Sequence, residues 1–72
     1  MAALGCYRIT VRGRMSERFS SAFPAGLVLE VGAGTSALVG ELEDQSELFG
    51  VLDRIRDLGL ELVGVEALSG TA

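Results

Sequence analysis

Gly32, Gly34 and Ala37 stand at the G-x-G-x-x-A spacing of a phosphate-binding loop, directly behind the apolar run Leu27–Val31. Such a loop holds a pyrophosphate because its glycines let the backbone come close. The first amides of a following helix then point at the anion. That helix is missing from the pattern. Residues 36–42, Ser-Ala-Leu-Val-Gly-Glu-Leu, contain Gly40 and read as a strand, with little room before a helix cap at Asp44. Asp53 lies about 20 residues on, where a ribose-binding acid would be expected. It falls inside an amphipathic helix, however, and not at a strand end. The glycines are read as a hairpin turn.

Other chemistries are narrowed by composition. The chain has no His and one cysteine, Cys6, so neither a disulfide within the chain nor the usual zinc ligand sets can be assembled. A general acid or base would have to be a carboxylate, Tyr7 or Cys6. No spacing brings two of these together, and Glu30 and Glu66 read as single solvated strand residues. No catalytic residue, metal site or cofactor is expected, and the chain is not read as an enzyme. A net charge of -4, with ten acids against six arginines, argues against nucleic acid as a partner. No segment is long enough to span a bilayer, and a reduced Cys6 points to a cytoplasmic protein.

The elements that would position these residues follow from changes of period. In "YRITVRG", Tyr7, Ile9 and Val11 alternate with Arg8, Thr10 and Arg12, the pattern of a half-buried strand. Ser16 is a candidate N-cap with Glu17 in the first turn. Phe19, Ala22 and Phe23 then fall at i, i+3, i+4 spacing before Pro24 and Gly26. This predicts a short helix with an aromatic face. Two strands joined by "GAGT" come next, with Leu38 and Leu42 opposite Ala37, Val39 and Glu41. Gly40 marks a bulge or a close approach of another backbone. Asp44 and Glu47 form a capping box, and Gly59 stands at a C-terminal cap. Between them Leu48, Val51, Leu52, Ile55 and Leu58 line one helical stripe. "ELVGVEAL" supplies the last strand.

The resulting order predicts an α+β fold: a ferredoxin-like βαββαβ sandwich, with a four-stranded antiparallel sheet carrying two helices on one face. The expected strand order is 4-1-3-2. Residues 1–72 are read as one domain with an ordered core over about 6–68.

Several versions of that fold are ruled out by missing residues. "VRGRMSERF" resembles the opening of acylphosphatases, but their glycine-rich cradle and Asn are absent. Metal-chaperone domains need a C-x-x-C in the first loop, which here is "GRMSER". The RNA-recognition version needs aromatics on its central strands, and only Tyr7 is available, on the core face. "VRGRMSERFSSAFP" and "DQSELFGVLDRIRDLGLELVGVEAL" together resemble a group of short, stand-alone bacterial proteins of unassigned function. That resemblance covers about residues 7–68 and is similar in layout to ACT-type modules. It implies pairing of subunits and small effectors bound near a glycine turn after the first strand, the place of Gly13.

Two candidate surfaces emerge. Arg8 and Arg12 share the outer face of the first strand with Val28, Val39 and Glu41 of its neighbours, an open sheet face suited to docking. Gly13, Arg14 and Ser16 would sit at the N-terminus of the first helix, where amides could receive an anionic metabolite. A hydrophobic fraction of 49% in only 72 residues, with a mean hydropathy of +0.42, asks for apolar surface to be covered from outside. The expected function is therefore a small non-enzymatic module that self-associates through the open sheet face, with a larger protein as a further partner. A small-ligand sensor is the alternative, and an enzyme subunit using carboxylate chemistry ranks behind it.

Overall fold

A computed structural model describes residues 4–16, 19, 21–24 and 26–70. The strands are β1 (Gly5–Arg12), β2 (Leu27–Val31), β3 (Thr35–Leu42) and β4 (Leu62–Gly70), and the helix α1 (Gln45–Asp57) lies between β3 and β4. They form one sheet in the order β2-β3-β1-β4, the expected order read from the other edge. Every neighbouring pair is antiparallel.

Alternation along the strands builds the core. Ile9, Val11, Leu27, Leu38 and Leu42 project to the inner face, where they meet Val51 and Ile55 of α1. The helix begins as its sequence requires. Asp44 accepts a hydrogen bond from the Glu47 amide at 2.9 Å, and the Glu47 carboxylate accepts one from the Glu43 amide at 2.8 Å. It closes with the Gly59 amide on the Arg56 carbonyl and the Leu60 amide on the Ile55 carbonyl, each at 3.0 Å, the two bonds of a Schellman cap.

The expected ferredoxin-like plan with two helices is corrected here. Among the described residues α1 is the one helix with both ends defined. Of the first expected helix, Glu17, Arg18 and Ser20 lie outside the described residues. Beside them Phe19 is helical, the Phe19 amide bonds the Ser16 carbonyl at 2.9 Å, and a turn follows in which the Ala22 amide bonds the Phe19 carbonyl at 3.0 Å. Gly13 and Pro24 leave fewer than three helical turns between them, so a helix in this stretch depends on packing more than on propensity. Pro24 also ends the segment, since it has no amide to donate. Ala22 is exposed, while Phe23 enters the core and Phe19 packs beside it. Both rings of the aromatic pair thus reach the core.

Two glycines make the β2–β3 hairpin possible. Gly34 takes a φ of +80° in its turn, closed by the Gly32 amide on the Thr35 carbonyl at 2.8 Å. A Cβ on Gly40 would run into the carbonyl of Gly26, so the close approach anticipated there is present. The glycine-rich stretch is a turn between strands and presents no helix to a phosphate.

Candidate functional site

The pairing register places the residues of the outer face. Arg8 lies opposite Val39 on one side and Glu66 on the other, and Val28 lies opposite Val39. Glu41 is the partner of Cys6, at the far end of β1 from Arg12. Arg8, Arg12, Val28, Val39 and Glu41 therefore lie on one face of the sheet. The charges on it are largely engaged within the chain. The Arg8 guanidinium stands 3.1 Å from Glu66 of β4 and 3.9 Å from Glu30 of β2. To reach β2 it must cross β3, and the small Ala37 lies between, leaving only 8% of its own surface exposed. Arg12 pairs with Glu61 at 3.2 Å. Glu41 makes no ion pair among the described residues. A hollow of about 270 Å³ beside Arg8 is bounded by Thr10, Glu30, Thr35 and Ala37.

Gly13, Arg14 and Ser16 follow β1. The Gly13 amide donates to the Gly34 carbonyl at 2.8 Å, and its carbonyl accepts from the Ser36 hydroxyl at 2.9 Å. Gly13 thus holds the chain to the hairpin. Arg14 and Ser16 line a cleft of about 460 Å³ with Met15, Leu29 and Val31. The helix N-terminus expected to receive an anion there is not among the described elements, and the exposed Arg14 is the charged group of the cleft.

Sequence reasoning passed over two features. Ser36 is 1% exposed, and its hydroxyl also accepts the Met15 amide at 2.8 Å, tying β3 to the segment after β1. Its signal was available, since Ser36 shares the parity of Leu38 and Leu42 and so stands as a polar residue in a core-facing place. The second is β4. Val65 pairs with Ile9, Ala67 with Tyr7 and Leu62 with Val11, which puts all three on the inner face. Yet Val65 is 41% and Leu62 45% exposed. Register shifts set Val63 and Leu68 apart as bulge residues, and both are exposed. No described side chain of β4 is buried. The signal lay in "LVGVEAL", whose apolar residues do not keep to one parity.

Among the described residues no group of three or more His, Cys, Asp or Glu side chains could hold a metal ion. No helix among them is long and apolar enough to cross a membrane.

The family model of DUF8691, a domain of unknown function, matches residues 6–66. The chain belongs to DUF8691. The match takes in β1 from Cys6, the hairpin, α1 and β4 as far as Glu66, and so includes Arg8, Arg12, Glu30, Glu61 and Glu66. It agrees with the resemblance to small proteins of unassigned function. No curated protein and no solved structure matches this DUF8691 chain.

Proposed function

We propose that this chain is a small non-enzymatic module that works by self-association, acting as an accessory to a larger protein in the cytoplasm. The observation that supports this reading is the uneven cover of the sheet. Among the described elements one helix serves four strands, and the side of the inner face built by β4 stays open. Leu62, Val63, Val65 and Leu68 are each at least 40% exposed. Apolar surface of that extent, gathered on one element, characterises a contact surface rather than a free one. Covering it contributes about 25 cal/mol for each Å² removed from water. Native mass spectrometry of the untagged chain tests the reading. An assembly of two or more 7.5 kDa chains is expected, and a bare monomer across all accessible concentrations would sink it.

The cleft of about 460 Å³ at Arg14 favours a second reading, a sensor for an anionic metabolite. Arg14 would supply the charge, with Leu29 and Val31 as an apolar wall. Phosphate, carboxylates and nucleotides should then raise the melting temperature, and Arg14→Ala should abolish the shift. No shift across such a panel would remove this reading.

A further inference from the structure

We propose that the occupant of the open β4 edge is a second copy of this chain, with the two β4 strands pairing antiparallel about a two-fold axis. The inference rests on the self-association reading and names its surface. The sheet would then run continuously through eight strands, and the inner faces beside Val65 would join into one core.

Three observations favour a copy of the same chain. The first is the edge itself. Among the described strands β4 is hydrogen-bonded only to β1, and it carries neither Lys nor Pro, two of the features that protect an edge from further pairing. Its bulges at Val63 and Leu68 bracket the run Gly64–Ala67, which keeps unbroken register with Tyr7–Thr10. That run is the regular segment on which a second strand can be laid.

The second is charge. A two-fold axis near the middle of Gly64–Ala67 brings like residues together, which is unfavourable for a strand with uncompensated charge. Glu66 is the only charged residue of β4, and Arg8 lies 3.1 Å from it. Across the axis the order of charge becomes Arg8, Glu66, then the same two from the partner in reverse. Each carboxylate keeps its own cation.

The third is area. A stable interface covers about 800 Å² on each partner, roughly a sixth of the 4700 Å² this chain exposes. A strand edge with Leu62, Val63, Val65 and Leu68 around it is the apolar part of such a contact. The other edge, β2, is five residues long and offers a shorter template.

The test compares the wild-type chain with Val65→Lys, Arg8→Met and Val39→Arg by native mass spectrometry and sedimentation over a dilution series. Helix content is followed by circular dichroism. The wild type should be a dimer of 7.5 kDa chains. Val65→Lys places a cation from each chain on the inner face close to the axis, and Arg8→Met leaves the two Glu66 carboxylates near one another on the outer face without their cations. Each should weaken dimerisation by about tenfold or more. Val39→Arg, on the outer face, should leave it unchanged. Should Val65→Lys fail to fold, hydrogen exchange of the wild type decides: amides of residues 62–68 should lose protection as the dimer is diluted apart. Unchanged β4 protection through dissociation would overturn the inference. A dimer indifferent to Val65→Lys and Arg8→Met but broken by Val39→Arg would also overturn it, moving the contact to the outer face while self-association stands. A wild-type monomer would remove both.

Discussion

Ile9 and Val65 are directly paired across β1 and β4 and point to the same face of the sheet, yet Ile9 is fully buried and Val65 is 41% exposed. The core of this chain ends between two adjacent strands. In dilute protein, truncating Ile9 to Ala should cost about 2–5 kcal/mol, as for other buried large-to-small changes. Val65→Ala should cost less than about 1 kcal/mol under the same conditions, since little packing is lost. Urea unfolding of both variants checks the contrast, and equal losses would mean that β4 is covered within one chain.

Ser36 is the buried polar residue on which the start of the β1–β2 connection depends. Replacing it with Ala leaves the Met15 amide without its acceptor in the core, and a buried unsatisfied donor costs about 1–3 kcal/mol. Chemical denaturation of Ser36→Ala should show a loss in that range with an unchanged dependence on denaturant. A neutral result would mean that water replaces the hydroxyl.

Two glycines should respond in opposite ways to the same substitution. Gly40→Ala drives a methyl group into the Gly26 carbonyl, so the hairpin must shift, and a loss of about 1–3 kcal/mol is expected. Gly50 is exposed in the interior of α1, with nothing near its would-be Cβ. Gly50→Ala should stabilise by about 0.5–1 kcal/mol because it narrows the unfolded ensemble and suits the helix. Thermal melts of the pair check both signs.

The Asp44 carboxylate accepts the Glu47 amide at the start of α1. Asp44→Ala should cost about 1 kcal/mol, and Asp44→Asn or Asp44→Ser should restore most of it, because either side chain still offers an acceptor to that amide. Melting temperatures of the three variants would show this ranking, and an equal loss in all three would mean that the Asp44 charge matters more than its hydrogen bond.

What the sequence determined alone are the features set by residues within a turn or a strand of one another. The alternation of Tyr7, Ile9 and Val11 specified the faces of β1. Asp44, Glu47 and Gly59 marked both ends of α1, and the glycines of residues 32–34 marked a hairpin. Capping, turn geometry and strand parity act over a few residues, so their signals are local. Even the sheet order was legible, since short connections leave few ways to arrange four strands. The outer-face group of Arg8, Arg12, Val28, Val39 and Glu41 followed from the same parity.

Tertiary structure decided what no local pattern carries. Phe19 and Phe23 had the spacing of one helical face, but what brings both rings to the core is the packing of their segment against the sheet. Arg8 reaches Glu30 only because β3 places Ala37 beneath its path. Ser36 is buried because a backbone amide and carbonyl from another segment meet it there. Val65 has the residue type and the parity of a core position and remains exposed, because burial depends on a second layer arriving from elsewhere. Among the described residues the helix α1 forms that layer, and its cover stops short of β4.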